Sequence, residues 1–125
     1  MGVEKVPRGW QNTQLGDVLD KIVGGGTPSK EVPDYWNGDI PWATVKDMTA
    51  VEKNSTIDAI TVAGLKNSAS NLVPASTPII ATRMGLGRIM RFSRDVAINQ
   101  DLKALFVSSQ VGNEFLIQWF LSKSE

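Results

Sequence analysis

The sequence contains neither cysteine nor histidine in its 125 residues. Without cysteine there is no disulfide and no thiolate zinc site, and without histidine the commonest general base and metal ligand is missing. Acidic pairs such as Asp17 with Asp20 lack a nucleophile or a base to work with, so they form no recognisable catalytic pattern. We therefore expect a protein that is not an enzyme and that holds no metal or other cofactor.

Long apolar runs are also absent, since no stretch of roughly 18 apolar residues occurs. Residues 1–5 show neither the basic nor the apolar region of a signal peptide. These absences predict a cytoplasmic protein without membrane association. Hydrophobic residues make up 42% of the chain and charged residues 21%. That composition supplies enough apolar surface for a core, so residues 1–125 are interpreted as a single domain.

The formal net charge is zero, with 13 basic and 13 acidic side chains, so the overall basicity of many nucleic-acid binders is missing. The charges are unevenly spread, because residues 66–103 hold six basic and only two acidic side chains. A positive face centred on Arg83, Arg88, Arg91, Arg94 and Lys103 would approach phosphates, and arginine also pairs with guanine. The alternative is a strand surface whose charges are solvated or paired.

Hydrophobic spacing and turn residues predict an α+β fold, with a mostly antiparallel sheet and short helices. Leu15, Val18, Leu19 and Ile22 recur at helical spacing before three glycines at 24–26, which predicts a helix there. The other predicted segments are strands at 40–45, 78–83, 88–92, 96–98 and 103–107, helical segments at 60–67 and 113–123, an irregular loop at 27–41 and a connection at 71–74.

The glycines at 24–26 are followed by Thr27, Ser29 and Lys30, a combination suited to contacting phosphate. Small residues let backbone amides approach a ligand, while hydroxyls and a lysine hydrogen-bond to phosphate oxygens. The spacing does not match a nucleotide-binding P-loop, and no glycine motif supports ATP or S-adenosylmethionine binding. An equally good local explanation is that the glycines only end a helix and that Thr27 begins a turn.

Asn99 and Gln100 form a second candidate group, with Asp101 and Lys103 beside them. Either carboxamide is able to pair with the major-groove edge of adenine, and a carboxylate accepts a hydrogen bond from cytosine. The competing interpretation is a turn that these side chains hold together. The sequence leaves the two interpretations open.

Two groups of aromatic residues have alternative roles. Trp36 and Trp42 are able to stack on bases, although large aromatics beside prolines more often pin a loop to the core. The segment 113–123 is apolar almost all round, which predicts a buried helix. Any part of it that stays exposed, such as Trp119 and Phe120, is expected to bind a partner surface.

Several of these motifs occur together and in one order. Gly26-Thr27-Pro28-Ser29 precedes Tyr35-Trp36 and Ile40-Pro41-Trp42, and the run 97–105, Ala-Ile-Asn-Gln-Asp-Leu-Lys-Ala-Leu, comes later. In this order the chain resembles the target recognition domain of type I restriction-modification specificity subunits, from about Leu15 to Leu105.

The resemblance implies an α+β domain, shortened at its C-terminal end, that recognises half of a split double-stranded DNA target. It also implies a complex with methyltransferase (M) and restriction (R) subunits, which carry out the catalysis. Under this hypothesis the DNA contacts come from Thr27, Ser29, Lys30, Arg83, Arg88, Arg91, Asn99, Gln100 and Lys103. The alternative is a protein-interaction or self-association module of that fold, which forms a homo-oligomer or binds another chain through Trp119 and Phe120.

Overall fold

The computed structural model describes residues 19–81, 88–107 and 112–123, apart from the side chains of Trp119, Phe120 and Lys123. The strands are β1 (Leu19–Val23), β2 (Trp36–Ala43), β3 (Glu52–Lys53), β4 (Asp58–Ile60), β5 (Asn71–Val73), β6 (Ile79–Ala81), β7 (Ile89–Phe92), β8 (Val96–Ile98) and β9 (Leu102–Val107). The helices are α1 (Val62–Lys66) and α2 (Asn113–Lys123), and 3-10 turns lie at Pro33–Tyr35 and Val45–Asp47.

The strands form two sheets that share a core. One sheet has the order β1-β9-β6-β7-β3, and the other has the order β4-β2-β8-β5. Because side chains alternate between the faces of a strand, one face of each sheet is free to turn toward the other. Ile79 and Met90 of the first sheet accordingly share a buried cluster with Ala43, Val73 and Ile98 of the second.

A helix lies on the other face of each sheet. Ile80, the neighbour of Ile79 and therefore on the opposite face, shares a cluster with Leu116 and Ile117 of α2. On the second sheet, Leu65 of α1 packs into the cluster that contains Ile60. The layers therefore run helix, sheet, sheet, helix. Neither helix in the described part of the chain has the length and apolarity needed to cross a membrane.

The predicted α+β class is confirmed, and among the described residues five of the seven strand pairings are antiparallel, with β2–β8 and β3–β7 parallel. The five predicted strands correspond to β2, β6, β7, β8 and β9, and both later helical segments are present. The predicted connection at 71–74 is wrong over its first three residues, because Asn71–Val73 pair with β8 as edge strand β5 and Val73 is buried. The predicted loop at 27–41 also ends early, where β2 begins at Trp36.

The predicted helix over Leu15–Ile22 is wrong in its described part, where Leu19–Val23 is strand β1. The pairing of β1 with β9 contains an irregularity between Leu19 and Lys21. A bulge of this kind inserts one extra residue, so that positions three apart face the same side of the sheet. Leu19 and Ile22 consequently pack in the same cluster, which imitates the spacing of an amphipathic helix. Leu15 and Val18 lie outside the described residues.

Candidate functional site

The glycines at 24–26 pass the end of β8 at backbone contact distance. The Gly26 N–H donates to the carbonyl oxygen of Ile98 at 3.2 Å. A Cβ atom on Gly25 would lie 2.1 Å from that same oxygen and 2.8 Å from the carbonyl oxygen of Asn99. Since only glycine permits so close an approach, the glycines do more than end an element. They bring Thr27 beside the turn that follows β8.

Both tryptophans of β2 hold this loop. The indole N–H of Trp42 donates to the carbonyl oxygen of Gly26 at 3.1 Å, and that of Trp36 donates to the carbonyl oxygen of Ser29 at 3.0 Å. The two rings meet edge to face, with centroids 5.1 Å apart and planes at 89°. Trp42 is only 4% exposed. Their indole donors are thus used inside the protein, which supports the loop-pinning interpretation over base stacking.

The turn after β8 separates the two carboxamides into different roles. Asn99 is 7% exposed, its backbone N–H donates to the carbonyl of Ala43, and its side-chain oxygen accepts from the Asp101 N–H at 3.0 Å. This is an Asx turn, so the Asn99 side chain holds the backbone. Gln100 is exposed, and its Oε1 accepts a hydrogen bond from the Thr27 hydroxyl at 2.5 Å.

The 3-10 turn that follows β2 forms one wall of an open cleft. The other two walls are the loop that follows the glycines and the turn after β8. Thr44 and Asp47 form a reciprocal capping box, in which the Asp47 carboxylate accepts from the Thr44 N–H at 2.9 Å. The second carboxylate oxygen accepts from the Ile57 N–H, also at 2.9 Å. Asp47 is 3% exposed, and it ties the start of β4 to the end of β2. Lys46 is exposed between the two capping residues.

Asp47→Ala is expected to lower the free energy of unfolding by about 3 kcal/mol, because two buried backbone donors lose their acceptor together with a cap. Urea unfolding followed by tryptophan fluorescence would measure the change. The matched control is Asp39→Ala, an exposed residue of β2, which should change stability by less than about 0.5 kcal/mol. Equal effects of the two substitutions would contradict the role given to Asp47.

These three walls enclose an open cleft of about 560 Å³. The predicted residues Thr27, Lys30, Asn99 and Gln100 all line it, although they come from two distant parts of the chain. The other lining residues are Trp36, Trp42, Thr44, Val45, Lys46, Asp58 and Asp101. The cleft thus combines exposed ammonium groups with a carboxamide, a hydroxyl and carboxylates, a set suited to hydrogen bonding with a polar ligand.

Lys46 and Asp58 were missed by sequence reasoning. Their charged groups are 3.6 Å apart, with side chains 66% and 40% exposed, so the pairing is weak and leaves Lys46 available to an anion. The capping-box pattern of Thr44 and Asp47 is the signal that would have marked this turn. No local sequence pattern indicates that this turn borders the same cleft as Thr27. Its position follows from the parallel pairing of β2 with β8, which are distant in sequence.

The other predicted contacts lie around or away from the cleft. Ser29 is exposed in the same loop, and its hydroxyl accepts from the Glu31 N–H at 3.3 Å. Lys103 on β9 is half-buried, with its Nζ 3.0 Å from the position that a Cβ atom on Gly24 would occupy. Arg88 is exposed and lines a separate depression with Leu121. Arg83 and the side chains of Trp119 and Phe120 lie outside the described residues, so their predicted roles stay predictions.

Arg91 joins two elements through carboxylates. Its guanidinium makes a two-nitrogen contact with Glu52 of β3, at 2.6–3.0 Å, and bonds to Glu114 of α2 at 2.9 Å. The hydrogen bond to Glu52 is the main cause that raises the pKa of Arg91. The hydrogen bond from Gln118, followed by that from Arg91, lowers the pKa of Glu114. The geometry favours the paired-charge alternative for Arg91, which fastens α2 to the sheet.

Arg91→Met is expected to lower the thermal unfolding midpoint by several degrees at neutral pH, because Glu52 and Glu114 then face each other without a cation. A carboxyl group with a lowered folded pKa stabilises the protein above its unfolded pKa and loses that contribution as the pH falls through the folded value. The difference in unfolding midpoint between wild type and Arg91→Met should therefore shrink as the pH falls below 4.5, the ordinary pKa of glutamate. Midpoints measured at both pH values provide the test.

The control for Arg91 is Arg94→Met, since Arg94 is exposed and makes a long, 3.4 Å contact with the carbonyl oxygen of Asp39. This variant should differ little from wild type at either pH. If the unfolding midpoint of Arg91→Met lies below that of wild type by the same amount at neutral and acidic pH, the ion-pair explanation is contradicted.

The fold and the cleft define a class of α+β domain, in which loops on a two-sheet scaffold present polar side chains at an open cleft. The particular family follows from comparison with known proteins. A model described as the type I restriction modification DNA specificity domain matches residues 7–125, and the chain belongs to that family.

Three curated relatives are similar to this chain. It is 27% identical to the type I restriction enzyme MjaIX specificity subunit of Methanocaldococcus jannaschii, over 98% of this chain and 29% of the relative. It is 36% identical to the EcoR124I/EcoR124II specificity subunit of Escherichia coli, over 73% of this chain and 24% of the relative. For the HindI specificity subunit of Haemophilus influenzae the values are 30%, 89% and 24%. The chain thus spans 24% to 29% of the length of these relatives.

Solved structures share the fold. The HsdS subunit from Thermoanaerobacter tengcongensis matches with a TM-score of 0.62 at 19% identity, covering 86% of this chain and 26% of that one. A chain from a structural study of complex assembly and conformational transition in the type I R-M system matches with a TM-score of 0.63 at 18% identity, covering 85% and 25%. At these identities the likeness concerns the fold.

Proposed function

We propose that this chain recognises double-stranded DNA through the cleft, as a non-catalytic specificity component of a type I restriction-modification system. The observation that carries the proposal is the convergence of Thr27, Lys30, Lys46 and Gln100 on one open cleft. Their side chains come from three chain segments that meet only in the folded protein. Membership of the DNA specificity domain family supports the same assignment.

The two lysines supply the contacts with phosphate. Lys30 and Lys46 are exposed and stand on separate walls of the cleft. Each ammonium that neutralises a phosphate releases counterions, so binding weakens as salt rises. Contacts of this kind position the duplex but carry no sequence information. Ser29 and Lys103, beside the glycine segment, extend this phosphate-binding surface, and Arg88 offers a further contact outside the cleft.

Base recognition falls to the side chains between these lysines. Gln100 is exposed on a turn that Asn99 fixes from below, and Thr27 is held by the glycine segment. A rigid support matters because a hydrogen bond to a base edge tolerates little displacement. We assign Asn99 and Arg91 to holding the structure rather than to contacting DNA.

The chain would act together with methyltransferase (M) and restriction (R) subunits, which supply the catalysis. Family membership alone supports this assignment, and the chain spans only 24% to 29% of the length of the curated relatives. Isothermal titration with S-adenosylmethionine and with ATP is expected to show no binding by this chain. Binding of either ligand would contradict a purely recognitional role.

Sequencing of the duplexes that the purified chain retains from a random pool at low salt tests DNA recognition. We expect an enriched motif of a few base pairs, since one domain covers only part of a binding site. Duplexes should be retained at low salt, with the motif enriched, and released at high salt. This result is expected if phosphate contacts position the side chains that contact bases. A retained pool without an enriched motif would overturn sequence recognition by this chain.

A further inference from the structure

We propose that Asp58 sets a base preference of the cleft by accepting a hydrogen bond from the N4 amino group of cytosine. In this proposal, Lys46 exchanges its weak contact with Asp58 for a phosphate when DNA binds. The inference rests on the proposed function, because it names a base contact made in the same cleft. It assigns that contact to a residue that the sequence motifs do not contain.

The residues that line the cleft fall into two groups. The first group lies in the motifs that carry the resemblance to the family, and it consists of Thr27, Trp36, Trp42, Asn99, Gln100 and Asp101. A residue that marks a whole family does not by itself explain a preference particular to one member. The second group lies outside those motifs, and it consists of Lys30, Thr44, Val45, Lys46 and Asp58.

Within the second group, Asp58 is the side chain with the chemistry of a base reader. Thr44 is only 7% exposed and its hydroxyl accepts from the Lys46 N–H, while Val45 is apolar. Lys30 and Lys46 are flexible point charges suited to phosphate. The Asp58 carboxylate accepts hydrogen bonds and donates none, so it distinguishes bases by the donors that they present.

The backbone holds Asp58 in place at the start of β4. Asp58 lies opposite Trp42 of β2, which is buried in the wall of the cleft. The Thr56 hydroxyl donates to the carbonyl oxygen of Asp58 at 2.6 Å, and the Ile57 N–H donates to the buried Asp47 carboxylate at 2.9 Å. A short side chain on a strand fixed in this way moves little, as contact with a base edge requires.

The Asp58 carboxylate keeps its capacity for hydrogen bonding. Lys46 Nζ lies 3.6 Å from Asp58 Oδ2, beyond the roughly 2.7–2.9 Å of a hydrogen bond between an ammonium and a carboxylate. Both side chains are well exposed, so water screens their attraction. A phosphate that binds Lys46 therefore displaces a weak partner, and the carboxylate is released for a base.

A group that only accepts hydrogen bonds selects among the major-groove edges of the bases. Cytosine presents the N4 donor, whereas guanine presents the acceptors O6 and N7 and thymine presents the acceptor O4. Adenine has the N6 donor beside the N7 acceptor, which repels a carboxylate. We expect cytosine at the position that Asp58 contacts, with guanine and thymine rejected because they would face the carboxylate with acceptors.

Parallel selections from a random duplex pool test the inference with wild type, Asp58→Asn and Asp58→Ala. Asp58→Asn replaces one acceptor by a donor at nearly the same size, and a carboxamide pairs with adenine through N6 and N7. One position of the motif should therefore shift from cytosine toward adenine, with the ratio of the two changing about tenfold. Asp58→Ala should lose the preference at that position and keep the rest of the motif.

Affinity for random-sequence duplex DNA gives a second readout. Asp58→Asn and Asp58→Ala remove a negative charge that opposes the phosphates, so each should bind such DNA roughly threefold more tightly at low salt. The matched control is Asp39→Asn, which makes the same change in charge at an exposed position of β2 outside the cleft lining. This control should keep both the motif and the affinity of wild type.

The outcomes separate this inference from the proposed function. A wild-type motif that Asp58→Asn and Asp58→Ala both leave unchanged would overturn the inference alone. Loss of every position of the motif in both variants, with unfolding midpoints equal to that of wild type, would show that Asp58 supports the whole site and would overturn it too. A wild-type selection without any motif would overturn the inference and sequence recognition together.

Discussion

Gly25→Ala should lower the free energy of unfolding by about 3 kcal/mol, because the new methyl group overlaps the backbone rather than a movable side chain. Its Cβ atom would lie 2.1 Å from the carbonyl oxygen and 2.6 Å from the carbonyl carbon of Ile98. Separating the two segments would break the Gly26 hydrogen bond and move Thr27 away from Gln100. Thermal unfolding should show a fall in midpoint of roughly 10 °C for a domain of this size.

Gly24→Ala is the matched control for Gly25→Ala. A Cβ atom at Gly24 would lie 3.0 Å from Nζ of Lys103, the far end of a flexible side chain that is able to move aside. This variant should unfold within about 0.5 kcal/mol of wild type. The close-approach explanation fails if the two alanine variants are equally stable.

Reversing both cleft lysines, in Lys30→Glu/Lys46→Glu, should weaken binding to random-sequence duplex DNA by at least about tenfold at low salt. The two ammonium groups stand on different walls of one cleft, so the double change replaces two attractive contacts with repulsive ones. The slope of log affinity against log salt should fall by about two, one for each lost phosphate contact. Fluorescence anisotropy titrations at several salt concentrations measure both quantities.

Lys53→Glu/Arg94→Glu provides a control with the same change in net charge. Lys53 ends β3 and Arg94 follows β7, and neither lines the cleft. If charge acted only through the whole protein, both double variants would lose affinity equally. We expect the control to keep most of its affinity and nearly all of its salt slope. Equal losses would show that the DNA-binding surface is not localised at the cleft.

Much of the fold was predictable because its signals are local. The β-branched and aliphatic runs of β6, β7, β8 and β9 mark buried strands. The apolar segment 113–123 marks a helix, but the prediction that this helix is buried holds only in part, because Leu116 and Ile117 are buried while Phe115 is 52% exposed. The helix predicted over Leu15–Ile22 failed where a bulge in β1 gave apolar residues a three-residue spacing. Pattern alone does not separate a bulged strand from one turn of an amphipathic helix.

The candidate site was predictable only in its parts. Thr27, Lys30 and Gln100 have side chains of the right chemistry, and the structure brings them together. Sequence did not separate Asn99 from Gln100, because the choice between an Asx turn and an exposed side chain depends on which residue the Ala43 carbonyl contacts. Lys46 joins the cleft through the pairing of β2 with β8, a contact between distant segments.

Lysine labelling with and without DNA tests the central claim most directly. The purified chain would be treated with an amine-reactive reagent, free or bound to random duplex DNA at low salt, and the modified lysines identified by mass spectrometry. The account predicts that Lys30 and Lys46 become protected, while Lys53 and Lys66, which are outside the cleft lining, react as before. Unchanged reactivity of Lys30 and Lys46 in the bound protein would contradict recognition of DNA through this cleft.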